Sequence, residues 1–254
     1  MQPSISPVPF PELLAQFREN PRSLLWRVPG IHLYDKPSGL TSFDVVARAR
    51  RQLGLRRVGH GGTLDPLATG LLVVLAGNAA RLFDELHLYD KEYVAGFRLG
   101  VRTDTQDITG SVVEERPGGA VARSAVESAL GTFRGDIMQV PPMYSALKYG
   151  GRKLVDLARQ GQTVERAPRP VHISGLELLD FDGREGVLRI VSSKGFYVRT
   201  LIDDLGEKLG TLAVMTSLRR TKVAMFGVEE SRPVPERLPR REKQGGDDAV
   251  TESV

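Results

Sequence analysis

The longest clear apolar run in the chain, Leu71–Ala76, is far too short to cross a membrane, and that limits the folds open to it. A membrane-spanning helix needs about 20 such residues, so no span is expected. A short run with paired valines reads instead as a buried strand. Comparable short segments follow one another along the sequence. His32–Asp35 reads as a strand halted by Lys36-Pro37-Ser38-Gly39, a turn by composition. Ser42 is expected to cap a helix that places Val45, Val46, Ala49 and Leu53 on one face and stops at Gly54. Ala79–Leu86 reads as a short helix. Tyr93, Ala95, Phe97 and Leu99 alternate as in a strand, Val101–Gly110 reads as a polar loop, and Ser111–Glu115 as an extended segment. Val126, Leu130 and Phe133 suit a helix face, Val187–Ser192 a strand and Tyr197–Leu209 a helix. No fixed-period repeat appears. Strands and helices interspersed in this way indicate an α+β fold, a mostly antiparallel sheet covered by helices.

At 254 residues the chain is long enough for one large domain or two small ones. Residues 1–29 are expected to form an N-terminal extension. Pro3, Pro7, Pro9 and Pro11 disfavour regular structure at its start, and a short helix is expected over Glu12–Arg18. The body spans 30–232. Beyond it, Pro, Gly and charge dominate, and 233–254 is expected to be a disordered tail. The N-terminus lacks an apolar signal core, so a cytoplasmic location is expected.

The chain contains no cysteine, which excludes disulfides, thiolate metal sites and cysteine nucleophiles. Lys and Arg number 35 against 31 Asp and Glu, a net charge of +4. The final segment 241–254 holds Arg241 and Lys243 against Glu242, Asp247, Asp248 and Glu252, a net of −2, so residues 1–240 carry +6. Most of that excess is arginine, which suits planar, bidentate contact with phosphate. No Gly-Lys pair exists for a phosphate-binding loop, and Leu64 stands where a dinucleotide fingerprint needs its last glycine. Gln106, Ile108 and Thr109 spoil a resemblance of Asp104, Asp107 and Glu115 to a calcium loop. His32, His60, His87 and His172 lack zinc-ligand spacing. No cofactor or metal is expected.

Three stretches carry chemistry. The first is Gly59-His60-Gly61-Gly62-Thr63-Leu64-Asp65-Pro66-Leu67-Ala68-Thr69-Gly70. Its glycines let the backbone approach a ligand closely, and Pro66 biases Asp65 away from helical angles. The ordinary structural alternative is a helix opening with Asp65 as cap and Pro66 at the first position. The second is Lys91-Glu92-Tyr93 followed by Thr103, Asp104, Thr105, Asp107 and Gly110. There Tyr93 is either a platform for a stacked base or a half-buried strand residue. The third is Ser192-Ser193-Lys194-Gly195-Phe196-Tyr197-Val198-Arg199-Thr200, a strand-to-helix junction. At a helix start the macrodipole disfavours Arg199 slightly, which hints at a specific anionic partner.

These stretches, with Lys36-Pro37-Ser38-Gly39, Pro141-Pro142-Met143-Tyr144-Ser145-Ala146-Leu147-Lys148 and Ser217-Leu218-Arg219-Arg220, resemble the bacterial TruB-type tRNA pseudouridine synthases from about Ile31 to about Gly227. The resemblance implies a pseudouridine synthase catalytic domain over 30–232 that isomerises uridine 55 in the T-loop of tRNA, without a cofactor. It implies that Asp65 is the catalytic aspartate, Arg199 its ion-pair partner, and Tyr93 a stacking residue proposed to act in proton transfer. His60 matches a histidine of the RNA-binding loop, and Tyr197 and Leu218 match pocket positions. Lys36 and Pro37 look like supports for the pocket, and Lys148 like an RNA contact. The expected partner is the T-arm of tRNA, bound by a monomer, with no protein partner indicated.

Two departures stand out. Longer relatives add a C-terminal domain that grips the acceptor end of tRNA, whereas 27 residues follow Gly227 here, so binding is expected to depend little on that end. Gly61 stands where threonine is common. Two rival functions fit parts of the pattern. One is an RNA-binding module that needs Tyr93 but not Asp65. The other is a glycosidase pairing Asp65 with Asp203 or Asp204, two residues expected to face solvent.

Overall fold

The computed structural model describes residues 9–116 and 119–236. Its strands in chain order are β1 (Gly30–Lys36), β2 (Val58–His60), β3 (Thr69–Ala76), β4 (Lys91–Leu99), β5 (Val101–Thr103), β6 (Val112–Glu115), β7 (Gly135–Gln139), β8 (Lys148–Tyr149), β9 (Arg152–Lys153), β10 (Arg169–Phe181), β11 (Glu185–Ser192), β12 (Ala213–Val223), β13 (Phe226–Gly227) and β14 (Arg232–Pro233). The α-helices are α1 (Phe10–Glu19), α2 (Ser42–Leu53), α3 (Phe83–Leu88), α4 (Arg123–Gly131), α5 (Leu154–Ala158) and α6 (Val198–Lys208). One mixed sheet runs in the order β14-β1-β3-β12-β4-β11-β10-β7, with β2 on β3 and β13 on β12. Among the named strands of the described residues, only the β1–β14 and β3–β12 pairs are parallel. The fold is α+β, as expected.

The apolar run of β3 has a direct explanation, since both faces of the sheet are covered at that point. Leu72 and Val74 pack with Val45, Val46 and Ala49 of α2 and with the large core that α4 and α6 share. Leu71, Val73 and Leu75 point the other way, into a second core with Ile31 and Leu33. Leu13 and Phe17 of α1 are buried in that second core. The segment read as an extension thus supplies a helix, Phe10–Glu19, that seals one face of the central sheet. Pro11 sits in its first turn, where a missing N–H is harmless, and so starts this helix.

Several boundaries differ from the sequence reading, each for a local reason. Thr41 caps α2, through a reciprocal box with Asp44. Ser42 is buried, and its hydroxyl donates to the Leu64 carbonyl and accepts from the Leu64 N–H. Ala79–Leu86 divides into a 3-10 turn over Gly77–Leu82 followed by α3. The polar loop over 101–110 begins with β5, which pairs with β6. Tyr197 is the residue before α6 and not its first turn. Pro233, placed in the expected tail, pairs with Asp35 at the sheet edge, and Val234 packs on the large core. The remainder of that tail, 237–254, lies outside the described residues. Among the described residues no helix is long and apolar enough to cross a membrane.

Candidate active site

Asp65 lies in the loop between β2 and β3, with no helix after it, so the helix-cap alternative does not apply. The loop is fixed from below. Leu64 and Ala68 are buried in the core on either side of Asp65. The Ala68 N–H donates to the Asp65 carbonyl, closing a tight turn. The Pro66 carbonyl accepts from the Gly39 N–H at 2.9 Å and from Lys36 Nζ at 3.2 Å. Gly70, at the far end of the loop, needs to be glycine. Its φ is +99°, and a Cβ there would sit 2.3 Å from the Arg220 carbonyl oxygen.

Arg199 enters from the first turn of α6. Its Nε lies 2.9 Å from Asp65 Oδ2. Nη1 donates to the Thr105 carbonyl at 2.8 Å and Nη2 to the Tyr144 carbonyl at 2.9 Å. The side chain is 4% exposed, against 34% for Asp65. The arginine is thus part of the interior and the carboxylate is its outward-facing partner. Asp107 Oδ2 approaches the same Nε at 3.9 Å. Its Oδ1 accepts from the Thr105 and Thr109 hydroxyls. The slight penalty expected for an arginine at a helix start is therefore offset by two carboxylates and two carbonyls.

Asp65 and Arg199 line a cavity of ≈ 220 Å³ together with Tyr93, Tyr197, Leu218 and Arg220. That volume is below the ~300 to 1,000 Å³ of most small-ligand pockets and suits a single ring system more than a dinucleotide. Tyr93 comes from β4, Leu218 and Arg220 from β12, and the two strands pair directly. Leu218 and Arg220 are two residues apart on one strand, so both face the cavity. Tyr197 is held at its backbone by Gln139, whose amide donates to the Tyr197 carbonyl and accepts from its N–H. Burial pushes the Tyr197 phenol up from its ordinary value.

The other expected site residues stand outside this cavity. Lys36 is fully buried beneath it, and Nζ donates to the Pro37, Leu40 and Pro66 carbonyls. Burial pushes its ammonium down to about 8. Pro37 takes part through that carbonyl alone. His60 is half-buried at the end of β2, where Nδ1 accepts from the Gly62 N–H at 3.4 Å. Burial and then the charge of Arg220 lower its pKa, favouring the neutral ring. Lys148 is exposed on β8, beside a second groove shared with Arg166 and Arg169. Asp203 is buried, contrary to expectation. Its two oxygens accept from Arg102 and Gln106, which leaves it no place beside Asp65. Asp204 is also absent from the cavity lining, although burial raises its carboxyl to about 6. Neither Asp203 nor Asp204 lines the cavity with Asp65, so the pairing expected of a glycosidase is not formed by these residues.

Sequence reasoning did not single out Ser42 as a fastener of Leu64, Asp107 as a second partner of Arg199, or Arg220. Only Arg220 left a usable signal, since strand alternation puts it on the face of Leu218.

An ion-paired carboxylate at the mouth of a small cavity with phenol rings on its walls is the form of an enzyme pocket for a planar ring. The family model described as TruB family pseudouridylate synthase (N terminal domain) matches residues 50–198, and that described as tRNA pseudouridylate synthase B C-terminal domain matches 199–235. This chain belongs to the TruB family of pseudouridylate synthases. It is 46% identical over 223 residues to a tRNA pseudouridine synthase B of Stutzerimonas stutzeri (strain A1501), covering 88% of this chain and 72% of that protein. It is 48% identical over 202 residues to one of Aeromonas salmonicida (strain A449), covering 80% of this chain but only 63% of the relative. A crystal structure of a Cbf5-Nop10-Gar1 complex contains a chain that superposes with a TM-score of 0.60 at 33% identity, covering 76% of this chain and 48% of that one.

Proposed function

We propose that this protein isomerises uridine 55 to pseudouridine in the T-loop of tRNA, as a cytoplasmic monomer that needs no cofactor. The observation that carries the reading is the Asp65–Arg199 pair at a cavity walled by Tyr93 and Tyr197, in a chain of this family. The reaction breaks the bond between N1 of uracil and C1′ of ribose, turns the base, and joins C5 to C1′. N1 gains a proton and C5 loses one, so nothing is oxidised and no group is imported. Asp65 serves as the nucleophile toward sugar or base, or removes a ribose proton. Arg199 holds the carboxylate in place and balances its charge. Tyr93 stacks on the base and accepts the C5 proton.

The target uridine must leave its stack, which costs a few kcal/mol. Stacking on Tyr93 offsets part of that cost. The remainder comes from phosphate contacts, for which Lys148, with Arg166 and Arg169 beside it, offers a basic groove. Lys36 and Pro37 act from beneath by fixing the Asp65 loop, and His60 acts beside that loop near the flipped nucleotide. The test is incubation of the protein with an unmodified tRNA transcript, without cofactor, followed by mapping of pseudouridine at single-nucleotide resolution. A mark at position 55 is expected. A mark elsewhere, or none, overturns the reading. RNA binding that persists with no mark at all would leave a binding module.

A further inference from the structure

Arg220 is 1% exposed and, among the described residues, forms no ion pair. Taking a guanidinium fully out of water without a counterion costs several kcal/mol, so the rest of the site must compensate. Its donors show how. Nε donates to the Leu71 carbonyl at 2.8 Å, Nη1 to the Thr63 carbonyl at 3.3 Å and Nη2 to the Gly62 carbonyl at 3.1 Å. Two of these acceptors lie two and three residues before Asp65. The peptide after Asp65 is gripped by a second buried cation, since Lys36 donates to the Pro66 carbonyl. The catalytic loop is thus clamped on both sides of its carboxylate.

Arg220 also reaches the opposite wall. Arg220 and Tyr93 line the same cavity. Its backbone pairs with Tyr93 of β4 on one side and with Gly70 of β3 on the other. A planar fork with fixed donor directions can serve three carbonyls at once, and a lysine ammonium cannot reproduce that geometry.

We propose that Arg220 is a positioning residue for the isomerisation, tying the Asp65 loop to Tyr93 so that carboxylate and ring keep one spacing across the base. The inference rests on the function proposed above, and its test separates the two.

Arg220→Lys and Tyr93→Phe, singly and together, are assayed on an unmodified tRNA transcript, and hydrogen exchange is followed over residues 60–70 in the same full-length proteins. For Arg220→Lys, kcat falls about tenfold or more while KM stays within about threefold, because alignment and not binding is lost. Residues that act through each other give non-additive losses. The double variant is therefore expected to lose at least about fivefold less than the product of the single losses. Arg220→Gln, which keeps one amide donor for the loop carbonyls, is expected to speed exchange over Gly62–Asp65 while Tyr93→Phe is not, and this holds as a test even if Arg220→Lys does not fold. Multiplying losses, or unchanged exchange in both Arg220 variants, overturns the proposed tie. If the unaltered protein makes no pseudouridine, the functional reading falls and the exchange comparison alone decides whether Arg220 holds the Asp65 loop.

Discussion

Nε of Arg199 lies 2.9 Å from Oδ2 of Asp65, although the two residues are 134 positions apart in the chain. The arginine is buried and the carboxylate is partly open, so one partner is anchored and the other presented. Asp65→Asn keeps the shape and removes the charge. Pseudouridine formation is expected to fall by ~10³-fold or more with tRNA affinity changed by less than about threefold. A variant that still marks position 55 at the native rate would remove Asp65 from the chemistry.

Arg199→Met should do more harm than loss of the ion pair alone. It leaves the Thr105 and Tyr144 carbonyls without their donor. An unsatisfied buried acceptor costs about 1 to 3 kcal/mol. A lower urea midpoint is expected together with loss of activity. Arg199→Lys should recover part of the stability but little of the rate, since one ammonium cannot hold both carbonyls and the carboxylate in a fixed plane.

Lys36 makes stability depend on pH in a defined direction. Burial lowers its ammonium from 10.5 to about 8 in the folded protein. Between these values the unfolded chain binds more protons than the folded one, so this lysine makes folding more favourable as pH rises, by up to about 1.4 kcal/mol per pH unit. Its burial penalty is fully present below about pH 8 and is relieved by about pH 10.5. The advantage of the unaltered protein over Lys36→Met, read from urea unfolding, should therefore widen from pH 8 to pH 10. A constant difference would contradict this origin. Lys91, lowered to a similar value, is present in both proteins and cancels.

The N-terminal helix is open to a direct test. Phe17 is fully buried against the β3 face of the sheet. Phe17→Ala is expected to cost about 3 to 5 kcal/mol. Cooperative unfolding at the native midpoint would show that α1 is not part of the core.

RNA binding should weaken steeply with salt, as phosphate contacts release counterions. Lys148→Ala is expected to lower the slope of log Kd against log salt by about 1 without altering the modified position. A salt-independent affinity would rule out the basic groove.

Local patterns carried the reading of individual elements well where a period decided them. The alternation in Tyr93–Leu99 and the apolar run of β3 needed only side-chain chemistry and pleat geometry. The cap of α2 was misplaced by one residue because Thr41 and Ser42 are both good caps. The choice fell to Asp44, which closes a box with Thr41, and to Leu64, which claims the Ser42 hydroxyl. The burial of Asp203 was equally invisible, since it depends on Arg102 and Gln106 from another part of the chain.

The ordered motifs by themselves put forward Asp65, Tyr93 and Arg199 as candidate site residues, through the family that they resemble, because glycine-flanked Asp-Pro and Lys-x-Tyr segments depend on neighbours in the chain. Only the tertiary structure decided that Arg220 holds the Gly62 and Thr63 carbonyls and that Lys36 gives its support through the Pro66 carbonyl. A hydrogen bond from a buried cation to a backbone carbonyl has no side-chain counterpart for a sequence to display. It exists only once two strands are brought into register.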